Sequence, residues 1–147
     1  MNREQTLLQQ ALQYHQTGRL SEAECLYNQV LHLNPKQPDA LHLMGMLAYQ
    51  QGHLETAIQL IQQALKIQPT AQFYDHLGAV LKDKGAISEA KESFEKALAL
   101  NPQSPETWNN LGTLDESVGD SEKALECYQK AIQYHPQFSV AWNNRGA

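Results

Sequence analysis

The chain has 147 residues, of which 41% are hydrophobic and 18% charged, a balance that excludes disorder and leaves enough length for a continuous core. A net charge of −5 argues against a phosphate-binding surface, which needs clustered Lys and Arg, so no nucleic-acid partner is expected. No apolar run nears the roughly 20 residues that span a bilayer, and "MNREQTLLQQALQYHQ" lacks the basic-then-apolar layout of a signal peptide, so no membrane partner is expected and the cytoplasm is the expected compartment.

Read in chain order, the predicted elements repeat. Pro35, Pro69, Pro102 and Pro136 are spaced 34, 33 and 34 residues apart, and Gly18, Gly52, Gly85 and Gly119 keep the same rhythm. Ala23, Ala57, Ala90 and Ala124 form a third series; Ala11, Gly45, Gly78, Gly112 and Gly146 a fourth; Tyr27, Ile61, Phe94 and Tyr128 a fifth. Five series in one register define a single domain over 1–147, with units 4–37, 38–70, 71–104, 105–138 and a truncated fifth at 139–147.

Each unit reads as two helices. In the second, Leu41, Met44, Gly45 and Ala48 fall at helical spacing, and so do Leu54, Ala57, Ile58, Ile61, Ala64 and Leu65. The glycine between them suits a left-handed helix C-terminus. Ser21, Ser88 and the Asp120-Ser121 pair are expected to cap the second helices, and Ser104-Pro105 to open a first helix. Small residues in facing places let helix axes approach, with Tyr27, Ile61, Phe94 and Tyr128 filling the gaps beside them. One such hairpin cannot bury its apolar faces alone, so the units are expected to stack.

Trp108, Leu111, Gly112, Gly119, Ala124, Tyr128, Ala131 and Pro136 resemble the tetratricopeptide repeat (TPR) pattern in nearly every place. The resemblance implies an all-α fold, a right-handed α-solenoid of stacked antiparallel helix hairpins forming a superhelix. Departures are Ala11 in place of Gly, Asp115 where Tyr14 stands, and a second unit one residue short. The related pentatricopeptide class differs in period and needs a basic RNA-binding face.

No catalytic constellation emerges. The six histidines are scattered, and His42 with Met46 and His76 is the nearest approach to a metal cluster, without the ligand spacing of a zinc site. Every glycine is used by the repeat, which leaves no phosphate loop. Asp115 and Glu116 are adjacent and so face different ways on a helix, which reads as a solvated face, with Glu116 also a candidate for a groove. Cys25 and Cys127 read as ordinary helix residues. No cofactor or metal is expected, and the chain reads as a non-enzyme.

In TPR arrays the first helices line a concave groove. The resemblance places Leu8, Gln9, Leu12, His42, Leu43, Met46, Tyr49, Asp75, His76, Ala79, Lys82, Asp83, Asn109, Asn110, Thr113 and Glu116 there. Its N-terminal part is apolar and its C-terminal part polar and mildly acidic, a seat for an amphipathic helix or an extended peptide of a partner protein. Leu8, Leu12 and Leu43 equally suit packing between first helices.

The carboxylate clamp of chaperone-binding TPR domains is disfavoured. Its places hold Leu8, Leu12, Leu43, Gln72 and His76 or, one unit on, His42, Met46, His76, Glu106 and Asn110, with no cationic pair. Asn110 and Asn144 instead resemble the asparagine ladder of O-linked N-acetylglucosamine transferases, which grips a peptide backbone. The stretch from Glu22 to Gly52 is also similar to the N-terminal repeats of bacterial transferases carrying TPR arrays. The expected function is therefore a peptide-binding interaction module; the alternative is the substrate-presenting arm of a larger enzyme such as a glycosyltransferase.

"WNNLG" at 108–112 returns as "WNNRG" at 142–146, just before the sequence stops. Trp142 and Gly146 open a fifth unit, and the stop reads as a cut in a longer array. A stack without a polar capping helix exposes its last apolar face, which invites end-to-end self-association.

Overall fold

The structure, a computed structural model, describes residues 2–137. Asn2 opens it by accepting from the Gln5 backbone N–H while the Gln5 side chain reaches back, a capping box that starts α1 (Arg3–Gln16). Seven further helices follow among the described residues: α2 (Leu20–Leu33), α3 (Pro38–Gln50), α4 (Leu54–Ile67), α5 (Ala71–Lys84), α6 (Ile87–Leu100), α7 (Pro105–Ser117) and α8 (Ser121–Tyr134). The described residues hold helices and turns and no strand.

Each second helix stops two residues short of its proline, whose ring cannot continue the ladder. Ser104 caps α7 by accepting from the Thr107 N–H at 3.3 Å, with Pro105 at the first helical place, as its sequence predicts. The starts of the second helices differ from expectation. Ser21 and Ser88 lie inside the first turn, and the caps are Arg19 and Ala86, which make no side-chain capping bond. Only the Asp120 part of the expectation holds: its side chain accepts from the Lys123 N–H.

The physical reason is the glycine. Gly85 takes φ +91° and Gly119 φ +83°, a left-handed turn open to a residue without Cβ, and the next residue is already the cap. The residue missing from the second period falls between α4 and α5, where three residues, 68–70, do the work of four at 34–37 and 101–104.

The chain divides into two compact units, Met1–Pro69 and Thr70–Ala147. In the first, α1 packs on α2 and α3 on α4, and α2 and α1 both touch α3. Ala11, Ala23, Tyr27, Ala57 and Ile61 are fully buried. In the second unit α5 packs on α6 and α7 on α8, and α6 and α5 touch α7, around Phe73, Val80, Phe94, Leu114 and Ala131.

Close packing inside the hairpins rests on the small–large pairs. A Cβ on Gly78 would sit 2.6 Å from the Phe94 ring, one on Gly112 2.6 Å from the Tyr128 ring, and one on Gly45 2.8 Å from Ile61 Cγ1. Each is inside van der Waals contact, so these helices meet at a distance only glycine permits. In the first hairpin Ala11 fills the same place beside Tyr27, and both are fully buried.

Candidate functional site: the first-helix faces

Within the first unit, Leu8 of α1 and Leu43 of α3 are half-buried against the core cluster of Ala11, Ala23, Tyr27 and Leu47, so packing claims most of their surface. Leu12, Met46 and Tyr49 are half-buried and stand outside that cluster, and Gln9 is exposed. His42, expected on the groove-lining face, is buried, at 4% exposure.

One polar chain in this unit escaped the sequence reading. Gln50 Oε1 can only accept, so His15 donates to it from Nε2 and accepts from the Tyr27 hydroxyl at Nδ1, 2.9 Å away. The bond ties α1 to both α2 and α3. Burial lifts the Tyr27 phenol to about 12, so it remains a donor at any physiological pH.

Within the second unit the same face is polar. Asn110 Nδ2 on α7 donates to Asp75 Oδ1 on α5 at 3.0 Å. One to two turns along, Lys82 Nζ donates to Thr113 Oγ1 at 2.7 Å, and that hydroxyl donates to the Asn110 carbonyl at 2.8 Å. Four of the sequence-predicted residues are thus brought together as rungs between consecutive first helices. Asp75 and Asn109, expected on the groove-lining face, are buried, at 9% and 7% exposure. His76 is half-buried, and burial holds its imidazole below the ordinary value, with the Asp75 charge pulling the other way. Asp83 and Glu116 are exposed, and Ala79 is half-buried. Asn144, Trp142 and the rest of the fifth unit lie outside the described residues.

Glu116 accepts from the Tyr128 hydroxyl at 2.6 Å. Its neighbour Asp115 corrects the expectation of a solvated face: it is 6% exposed and accepts from the Cys127 thiol at 3.6 Å. Burial raises the Asp115 carboxyl, and burial and the Asp115 charge together push the Cys127 thiol up to about 12. A thiol so disfavoured as thiolate has no nucleophilic character.

A cleft of about 340 Å³ opens on the second unit where the first two turns of α5 meet the first turn of α7, with Gln72, Asp75, His76, Glu106 and Thr107 among its walls. Among the described residues no three His, Cys, Asp or Glu side chains are placed to hold a metal ion, and no helix is long and apolar enough to cross a membrane.

Family models agree with this architecture. Models described as tetratricopeptide repeat match residues 14–79 and 105–138, and one described as TPR repeat matches 78–114, so that together they run from 14 to 138. The chain belongs to the tetratricopeptide repeat family.

Its TPR relatives are much longer. Human tetratricopeptide repeat protein 7A is 33% identical over 89 residues, 60% of this chain and 10% of that protein. The tomato (Solanum lycopersicum) protein called probable UDP-N-acetylglucosamine–peptide N-acetylglucosaminyltransferase SPINDLY is 31% identical over 86 residues, 58% of this chain and 9% of that one. The chain therefore spans about a tenth of these curated relatives.

Among solved structures, MamA superposes with a TM-score of 0.81 at 25% identity over 92% of this chain and 80% of that one. A chain of the APC/C hetero-tetramer Cut9-Hcn1 gives 0.91 at 17% identity over 97% and 29%. These likenesses identify the fold as an all-α helical-repeat solenoid. TPR repeats are protein–protein interaction scaffolds.

Proposed function

We propose that the chain seats an extended peptide or amphipathic helix of a partner protein on its first-helix faces. The observation that supports this most is the set Leu12, Met46 and Tyr49: half-buried apolar and aromatic side chains on the consecutive first helices α1 and α3. Such side chains gain by covering an apolar ligand face, at about 25 cal/mol per Å².

The test starts from peptides selected by display on the wild-type chain. Met46→Ala and Tyr49→Ala should each weaken their binding about tenfold, the cost of about 1.4 kcal/mol at a moderately important contact. Far-UV ellipticity should stay unchanged. Unaltered affinity in both variants would remove the first-unit face from the binding site.

A second reading, the substrate-presenting arm of a glycosyltransferase, draws on the transferase named among the relatives. Reading the parent gene past residue 147 tests it directly. A sugar-nucleotide-binding domain downstream would support the arm, and a stop codon at that point would eliminate it.

A further inference from the structure

The cleft of the second unit combines a buried carboxylate with a surplus of acceptors. Asp75 is about nine-tenths buried, and among the described residues its one side-chain donor is Asn110, which meets Oδ1 alone. An ionised carboxylate offers roughly four acceptor sites, so most of its capacity is left to whatever occupies the cleft. Glu106 places a second carboxylate in the same wall and, among the described residues, accepts a long 3.4 Å bond from the Ser104 hydroxyl. Neither acid has a Lys or Arg partner among the described residues, and the cleft lining contains no Lys or Arg.

Two features could offset this negative charge. His76 stands beside Asp75, but burial lowers its pKa and so disfavours the imidazolium, with the Asp75 charge pulling the other way. The N-termini of α5 and α7 also face the cleft, each equivalent to about +0.5 charge that fades within one turn. Thr70 and Ser104 already cap them, accepting from Phe73 N and Thr107 N, and the Glu106 carboxylate lies within the α7 first turn. Two full negative charges outweigh two capped partial positive ones. The volume, about 340 Å³, sits at the small end of the roughly 300–1,000 Å³ typical of ligand sites, room for one side chain more than for a cofactor.

We infer that this cleft is a pocket for one cationic side chain, Lys or Arg, of the bound peptide, with Asp75 as its buried counter-charge and Glu106 as its rim. The inference rests on the peptide-binding reading and gives that peptide a required charge. Guanidinium and ammonium groups are donors only, which matches a wall whose two carboxylates are acceptors, and charge-assisted bonds are roughly twice as strong as neutral ones.

The test needs no partner protein. The ¹⁵N-labelled chain is titrated with Nα-acetyl-arginine methylamide, with the lysine analogue, and with the uncharged isostere Nα-acetyl-citrulline methylamide. Both cations should shift the amides of Gln72, Asp75, His76 and Thr107 with dissociation constants at least about fivefold below that of citrulline, the margin a charge-assisted bond supplies. Glu106→Gln, at an exposed position, and Asp75→Asn, which keeps an acceptor for Asn110, should each remove that margin.

Citrulline matching arginine would overturn the inference. So would cation shifts centred on Asp83 and Glu116, or full arginine selectivity in Glu106→Gln with unchanged ellipticity, whatever Asp75→Asn does to folding. Failure here leaves the Met46 and Tyr49 experiment standing, because those residues lie in the first unit and are assayed with selected peptides.

Discussion

The two units use one hairpin design under two different faces. In the first, α1 and α3 present Leu12, Met46 and Tyr49, with a single polar chain from Tyr27 through His15 to Gln50. In the second, those places on α5 and α7 fall to Ala79, Lys82, Thr113 and Glu116, and Lys82 with Thr113, like Asn110 with Asp75 beside them, bonds helix to helix. Beneath both faces lie the same buried alanines and the same small–large pairs. The contrast shows that packing in this repeat is settled between the two helices of a hairpin, which leaves the first-helix face free to vary in polarity.

The largest effect expected from breaking that shared packing comes at the glycines. Gly78→Ala and Gly112→Ala would each drive a Cβ to 2.6 Å from an aromatic ring, and should cost about 1–3 kcal/mol by overpacking, read as a lower urea midpoint. The first hairpin already carries Ala11 beside Tyr27, so restoring the family's residue there with Ala11→Gly should cost only about 1 kcal/mol, through helix propensity. Equal losses at the two ends would mean that the hairpins are not packed alike.

A smaller effect is expected from the tyrosine hydroxyls. Tyr27→Phe and Tyr128→Phe each remove one hydrogen bond, to His15 and to Glu116, and should cost about 1 kcal/mol each in the same assay. The smallest effect is a pH slope confined to the second unit. His76 titrates lower in the folded chain than its ordinary 6.5, so below that pH the unfolded chain binds a proton that the folded one does not. Its contribution is therefore present above pH 6.5 and is lost as pH falls through the folded value. His76→Gln should flatten that part of the urea-midpoint profile; an unchanged difference between variant and wild type from pH 7.5 to 5.5 would contradict it.

Much of the fold was legible because it is periodic. Gly78 with Phe94 and Gly112 with Tyr128 recur in register, so their mutual contact could be read from spacing alone, and so could the left-handed glycines and the Ser104-Pro105 start. The caps of the second helices were not legible. Once the glycine has turned, the cap falls on the next residue whatever its side chain, and Ser21 and Ser88 are carried into the helix. Asp115 misled for a related reason: its charge suggested solvent, while its place in the period faces the second helix, where Cys127 meets it.

The bonds between first helices depend on how neighbouring hairpins tilt, which one sequence does not encode in any local pattern. Asp75 with Asn110 and Lys82 with Thr113 were therefore named as face residues without their pairings. His15 had a signal that went unread, since it precedes Tyr27 by the same 12 residues that separate Glu116 from Tyr128.

That 12-residue register connects the buried layer to the outward one. A phenol in the second helix reaches through the hairpin and holds the first-helix side chain opposite it, as with Tyr27 and His15 or Tyr128 and Glu116. Where the phenol is replaced by a phenyl, at Phe94, the opposite side chain, Lys82, turns to the neighbouring hairpin and bonds Thr113. At Tyr27, Phe94 and Tyr128 the presence or absence of one oxygen atom thus goes with whether the first-helix side chain twelve residues earlier finds a partner inside its own hairpin.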